Sequence, residues 1–92
     1  MKKFNWNIEK NIELKYARSV SFEDVLFYIE HDCIIDIIEH PNYEKYMNQK
    51  IYILDINNYI YYVPFVETDE EIFLKTIIPS RKLTKKYLKE KK

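Results

Sequence analysis

Two runs rich in aromatic and β-branched residues, at positions 51–56 and 59–66, are separated only by Asn57 and Asn58. A two-residue connection of this kind is typical of a β-hairpin whose two central residues have positive φ. The chain contains no glycine, so this conformation must fall on asparagine or aspartate, which adopt it most readily among the other residues. The sequence therefore predicts a hairpin that turns at the two asparagines.

Shorter runs at 34–39 and 72–78 predict one further strand before the hairpin and one after it. The polar segment 42–49 reads as a surface loop between the first and second strands. We therefore expect a four-stranded antiparallel meander. Pro64 lies within one of these strands, and because proline cannot donate a ladder hydrogen bond, it predicts an edge position or a bulge.

Two helices are expected before the sheet. The first covers about residues 8–17, where apolar side chains recur among charged ones and Asn11 is expected to face solvent. The second covers about residues 22–31, because Ser21 followed three residues later by Asp24 has the spacing of a capping box.

Positive charge is concentrated at the C-terminal end. From residue 80 onward the chain has seven lysines and arginines and a single acidic residue, Glu90, although the whole chain has a formal net charge of zero. A third helix over about residues 81–90 would display these cations opposite its leucine and tyrosine side chains. Such a concentration indicates a polyanionic partner, either a nucleic acid or an acidic protein.

The predicted element order, α-α-β-β-β-β-α, is that of an α+β fold, and 92 residues suit a single domain over residues 1–92. A single cysteine excludes an internal disulfide bond, and no run approaches the roughly 20 apolar residues of a membrane span. No signal-peptide pattern is present. We therefore expect a cytoplasmic protein that does not enter a membrane.

Two short strings, one near each end, carry a family resemblance. The first is Phe4-Asn5-Trp6-Asn7-Ile8-Glu9-Lys10-Asn11 followed by Val20-Ser21-Phe22-Glu23-Asp24. It resembles the opening of BrnT-type toxins, roughly F-x-W-[DN]-x-x-K-x-x-x-N and then K-H-G-[VI]-S-F-E-[ED]. The second, which looks like the family's I-I-S-A-R-R-A-T, is Ile77-Ile78-Pro79-Ser80-Arg81-Lys82-Leu83-Thr84.

The resemblance implies a small bacterial hydrolase of RelE-like fold, with helices packed on an antiparallel sheet. As the toxin of a type II toxin–antitoxin system, it would cleave RNA without a metal ion or other cofactor and so block translation and growth. Its partners would be RNA and a cognate DNA-binding antitoxin that lays an acidic or amphipathic segment over the basic end. A homodimer or a toxin–antitoxin heterotetramer would be the assembly.

The chain departs from the family pattern at two places. Tyr16-Ala17-Arg18-Ser19 stands before the Ser-Phe-Glu motif where the family has Lys-His-Gly, and Thr68 and Thr76 align with positions where the family often has arginine. The first alternative is therefore a non-catalytic RNA- or protein-binding module of the same fold. The second is a structural or regulatory subunit that is not toxic and shows no salt-dependent RNA binding.

Metal-independent RNA cleavage needs groups that move protons and cations that offset the charge of the pentacoordinate phosphate. The predicted catalytic residues are Arg81, Lys82, Lys85 and Arg18. The predicted RNA-binding residues are Lys75, Arg81, Lys82, Lys85, Lys86, Lys89 and Tyr62. A solvated helix face or an antitoxin-binding surface is the simpler interpretation of the same cations.

Other candidate groups have simpler structural interpretations. The tyrosines at 52, 59, 61 and 62 could stack on bases or donate a proton, but packing also explains them. His31 and His40 would lie about 25 Å apart at opposite ends of one strand, too far to share a metal. The acids of segment 67–71 suit a solvated turn, and Cys33 is expected to be a small buried apolar residue.

Overall fold

The structure, a computed structural model, describes residues 2–39, 42, 44–45 and 49–89, with side chains as far as residue 87. In this part of the chain a mixed β-sheet is covered by two helices on one face and by a third helix on the other. The elements in chain order are β1 (Lys3–Trp6), α1 (Ile8–Arg18), α2 (Phe22–Glu30), β2 (Ile34–Glu39), β3 (Gln49–Ile56), β4 (Tyr59–Glu67), β5 (Glu71–Leu74), β6 (Ile78–Pro79) and α3 (Arg81–Lys89).

The strand order is β1-β5-β4-β3-β2, with β6 paired to β4 as a sixth strand. The pairs from β2 to β5 are antiparallel, whereas β1 runs parallel to β5. The α+β class is confirmed, but the predicted architecture of two N-terminal helices before a four-stranded meander is wrong. The chain begins with a strand instead, because Phe4 and Trp6 pack on the core and their backbone pairs with a segment some seventy residues away.

The prediction of one continuous strand over 72–78 is also wrong, since β5 ends at Leu74. Pro64 explains the break. The Lys75 N–H donates to the Pro64 carbonyl at 2.8 Å, but proline has no N–H to return the bond. The segment that joins β5 to β6 then carries one more residue than the part of β4 opposite it, which is a bulge. Pro64 thus sits beside a bulge in an interior strand, not at an edge.

Residues with positive φ make the tight turns of this glycine-free chain. Asn57 and Asn58 have φ of 54° and 67°, which confirms the predicted hairpin turn. Ser19 (φ 56°) ends α1, and Asp32 (φ 55°) follows α2. Each of these is a non-glycine residue in the left-handed region, where short polar side chains are tolerated best.

Both N-terminal helices begin at side-chain caps. Asn7 accepts a hydrogen bond from the Lys10 N–H at 2.9 Å, and Ser21 and Asp24 form the reciprocal capping box that the sequence predicts. Because such caps satisfy N–H groups that no helical carbonyl can reach, the two helix starts are set by local sequence.

The burial of α1 differs from the prediction. Asn11 is buried, so the expectation that it faces solvent is wrong. Its side-chain oxygen accepts from the Phe22 N–H and its amide group donates to Glu23, each at 2.8 Å. Asn11 therefore joins α1 to the start of α2, while Ile8, Ile12 and Tyr16 are left exposed on the other side of α1.

The sheet separates two apolar clusters. On the α1–α2 face, Leu14, Phe22 and Val25 pack against alternate residues of β3 and β4, including Leu54 and Phe65. On the other face, which we call the α3 face, Leu83 and Tyr87 pack against Ile51, Ile53 and Ile60. Strand alternation therefore decides which side chains meet the basic helix.

Candidate nucleic-acid interface

The first turn of α3 is fixed to β4 by hydrogen bonds around Ile60. The Ser80 N–H donates to the Ile60 carbonyl at 2.9 Å, and the Ile60 N–H donates to the Thr84 hydroxyl at 2.9 Å. The same hydroxyl donates to the Ser80 carbonyl at 2.7 Å. Ser80 also caps the helix by accepting from the Leu83 N–H at 3.2 Å. These bonds hold the start of the basic helix in one place on the sheet.

The outward side of α3 is a row of exposed cations. Arg81 and Lys85 are four residues apart and lie opposite the apolar side, and Lys82 and Lys86 form a second pair beside them. Within the described residues, no carboxylate lies within ion-pair distance of these four side chains. We call these residues the α3 cation row: Arg81, Lys82, Lys85 and Lys86.

The cation row is poorly placed for the stability of the helix itself. Arg81 and Lys82 occupy the first turn, which contains no acidic residue. A helix N-terminus carries partial positive charge, so cations there cost on the order of 0.3–1 kcal/mol each at an exposed site. The same arrangement favours an anion, because the helix end and two side chains then attract it together.

Of the other predicted RNA-binding residues, one lies on the α3 face, one lies in the bulge after β5, and the side chain of the third is not described. Tyr62 is half-buried among the apolar residues that Leu83 and Tyr87 contact. Lys75 is exposed in the bulge beside Pro64. The side chain of Lys89 lies outside the described part of the structure.

Arg18 lies apart from the cation row. It is the last residue of α1, which packs on the other face of the sheet, and it is exposed. Its charge acts on Tyr61, a residue of the α1–α2 face. The predicted catalytic set is thus divided between the two faces, and the structure brings together only its members on α3.

The four candidate tyrosines are also divided between the two faces of the sheet. Tyr52 is buried on the α1–α2 face, where its ring stacks on Phe65 with centroids 4.0 Å apart, and burial raises the pKa of its phenol. Tyr59 and Tyr61 lie on that face too, with ring centroids 5.6 Å apart. Burial, and then the neighbouring Tyr59, raise the pKa of Tyr61, whereas Arg18 opposes the rise. Tyr62 alone of the four faces α3.

His31 has a structural position at the end of α2. Its Nδ1 lies 2.8 Å from the Phe27 carbonyl oxygen, and its ring stacks on that of Phe27. His40 lies outside the described residues.

Cys33 is exposed, so the prediction that it is a small buried apolar residue is wrong. Its thiol donates to the His31 carbonyl at 3.4 Å, in the turn between α2 and β2.

The acidic segment 67–71 forms the turn between β4 and β5. The Thr68 hydroxyl accepts hydrogen bonds from the N–H groups of Glu70 and Glu71, which shapes the turn. Glu67 accepts from Lys2, and this bond lowers the pKa of the Glu67 carboxyl. Across the described residues, no group of three or more His, Cys, Asp or Glu side chains could hold a metal ion.

Asp55 is a residue of the α3 face that sequence analysis missed. Alternation along β3 places it on the same side as Ile53, and one of its carboxylate oxygens is buried without a hydrogen-bond donor in the described structure. The sequence signal that could have identified Asp55 is its position as the one charged residue in the apolar run 51–56. Ser80 and Thr84 were also missed as anchors, because their partner Ile60 is distant in sequence.

No protein-family model matches the chain, and neither a curated protein nor a solved structure matches it. The resemblance to BrnT-type toxins therefore rests on the two terminal strings alone. Of the described helices, none has the length and apolar character needed to cross a membrane.

Proposed function

We propose that this protein is an RNA-directed toxin of the type II toxin–antitoxin kind, which contacts RNA phosphates through α3 and cleaves the strand without a metal ion. The observation that carries the proposal is the α3 cation row, whose exposed side chains have no carboxylate partner among the described residues. Unpaired cations on a fixed helix are suited to bind a polyanion.

The attachment of α3 to the sheet supports a binding role for the row. Because Ser80 and Thr84 are both hydrogen-bonded to Ile60, the cations of the first turn are presented by a rigid element. Arg81 has a planar guanidinium group that can donate two parallel hydrogen bonds to one phosphate. Lys82 and Lys85 would offset the negative charge that develops on the phosphate during cleavage.

The terminal strings provide the argument for cleavage. The first supplies β1, the cap of α1 and the Asn11 bridge to α2, and the second supplies β6, the Ser80 cap and the first turn of α3. Both strings therefore occupy positions that build the scaffold of the sheet and the basic helix. The support for cleavage is the resemblance of these two strings to the toxin family.

A non-catalytic RNA-binding module is the alternative, and one observation favours it. Arg18, a member of the predicted catalytic set, belongs to the layer on the opposite face from the cation row, and the one described histidine caps α2. With no histidine near α3 among the described residues, proton transfer there would depend on lysine or tyrosine side chains. Under this alternative the row binds RNA with no turnover.

The test is inducible expression in growing cells, with total RNA examined after induction. Wild type is compared with Arg81→Ala/Lys82→Ala and with the control Lys3→Ala/Lys15→Ala, which removes the same charge from β1 and α1. We expect arrest and loss of RNA with wild type and with the control, and relief of both by the α3 variant.

Two other outcomes are informative. Arrest with intact RNA, relieved by the α3 variant, would favour the binding module. Normal growth and intact RNA, with soluble protein confirmed in the cells, would contradict the toxin proposal. Co-expression of a neighbouring small DNA-binding protein that restores growth would identify the antitoxin, whose acidic or amphipathic segment we expect to cover α3.

A further inference from the structure

Tyr59 and Tyr61 form an aromatic pair at the start of β4. Their ring centroids are 5.6 Å apart with 57° between the ring planes, and both side chains are half-buried. Tyr61 packs against the apolar cluster of the α1–α2 face, whereas Tyr59 belongs to neither cluster. Core packing therefore accounts for one ring of the pair but not for the other.

Arg18 is a cation of the helix layer on the same face of the sheet as Tyr61. It is the last residue of α1, its side chain is exposed, and it has no carboxylate within ion-pair distance in the described structure. It is close enough for its charge to favour the ionised form of Tyr61. Its guanidinium could add a phosphate-binding group to the flat aromatic surfaces of the tyrosine pair.

The aromatic pair and the attachment point of the basic helix occupy neighbouring residues of β4. Ile60 lies between Tyr59 and Tyr61 in sequence, and it is the residue to which Ser80 and Thr84 attach α3. Alternation sends the tyrosines to the α1–α2 face and Ile60 to the α3 face. The aromatic pair and the first turn of α3 therefore lie at the same end of the sheet, on opposite faces.

We propose that Tyr59 and Tyr61 form a base-binding platform for a single RNA strand whose phosphates contact the first turn of α3. The inference rests on the proposed function, because it assigns a place to the bases of the same strand. Base–aromatic stacking tolerates any sequence, so the platform selects single-stranded RNA with accessible bases over duplex RNA.

The experiment measures the affinity of purified protein for two labelled oligoribonucleotides of equal length, one intact and one with abasic riboses at its internal positions. Wild type is compared with Tyr59→Leu/Tyr61→Leu, which keeps apolar bulk, and with Tyr16→Leu, an exposed tyrosine on the side of α1 away from Leu14. Thermal unfolding checks that each variant is folded. If the double variant does not fold, Tyr59→Leu alone replaces it, since Tyr59 lies outside both apolar clusters.

We expect wild type and Tyr16→Leu to prefer the intact strand by about fivefold to a hundredfold for each stacked base. The double variant should bind the intact and abasic strands alike, and Tyr59→Leu should lose part of the preference. A tyrosine variant that keeps the full wild-type preference would overturn the platform. Wild type that binds both strands equally well would also overturn it, while leaving phosphate binding by α3 in place. Wild type that binds neither strand would overturn the proposed function and the platform together.

Discussion

The hydroxyl of Thr84 accepts a hydrogen bond from the backbone N–H of Ile60 at 2.9 Å. The two residues are 24 positions apart, and Ile60 is fully buried in β4. The bond gives a partner to a strand N–H that would otherwise lack one where β4 passes beneath α3. Together with the Ser80 N–H bond to the Ile60 carbonyl and the packing of Leu83 and Tyr87, it helps to fix the helix that carries the cation row.

Thr84→Val should lower the free energy of unfolding by about 1–2 kcal/mol, because the buried Ile60 N–H loses its acceptor while the side-chain shape is kept. Thr84→Ser keeps the hydroxyl and should stay much closer to wild type. Urea unfolding of the three proteins measures the difference. Equal stability of the valine and serine variants would show that the hydroxyl does not hold α3 to the sheet.

Arg81→Ala/Lys82→Ala should raise the free energy of unfolding, by about 0.3–1 kcal/mol for each cation removed. Both cations stand at the positive end of the helix dipole, and neither has an ion-pair partner in the described structure. The same variant should bind RNA more weakly. Urea unfolding at low ionic strength gives the stability, and a loss above about 1 kcal/mol would indicate that the two side chains serve the fold instead.

Asp55→Asn should raise the free energy of unfolding by about 1 kcal/mol, because it removes a charge from a position where one oxygen is buried without a donor. Asp36→Asn is the matched control, since the Asp36 carboxylate accepts from the Ile37 N–H at 2.8 Å. The free energy of unfolding of Asp36→Asn should be equal to or lower than that of wild type. If both substitutions destabilise the protein equally in urea unfolding, the Asp55 carboxylate accepts from a donor outside the described residues.

The free energy of unfolding should depend on Glu23 at neutral pH and not in acid. The hydrogen bond from Asn11 lowers the pKa of the Glu23 carboxyl, with a further contribution from Lys15 and against the effect of burial. Because the folded state favours the ionised carboxyl, Glu23 contributes stability at any pH above its unfolded pKa, which is near 4.3. This contribution is lost as the pH falls through the lower pKa of the folded protein.

Wild type and Glu23→Gln should therefore differ in stability at pH 7 and converge in acid, as the pH falls through the lowered pKa of the folded protein. Chemical unfolding at a series of pH values measures both proteins. A stability difference that stays constant from pH 7 to pH 3 would show that the ionised carboxylate contributes nothing to the Asn11 contact.

Local features of this fold could be predicted from the sequence. The turn at Asn57 and Asn58 follows from two adjacent asparagines in a glycine-free chain, and the capping box of Ser21 and Asp24 follows from their spacing. In each case the residues that make the feature are within a few positions of each other. The cation row could be predicted for the same reason, since it depends on the composition of one short segment.

Features that depend on distant pairing could not be predicted in this way. Strand β1 has only four residues and is held by a parallel partner near the other end of the chain. Asn11 looked like a solvent-facing polar residue because its partner Phe22 lies on the next helix. Likewise, the residues around Arg18 and Arg81 do not show that the two side chains belong to layers on opposite faces of the sheet. This placement divides the predicted catalytic set.

The salt dependence of RNA affinity tests most directly whether α3 binds RNA phosphates. The logarithm of the association constant for a single-stranded oligoribonucleotide is measured against the logarithm of salt concentration for wild type and Arg81→Ala/Lys82→Ala. If both side chains contact phosphates, the variant should bind more weakly and its slope should be shallower by about 1.4, since each contact on a single strand contributes about 0.7. Equal affinity and equal slope for the two proteins would contradict the claim that α3 contacts RNA.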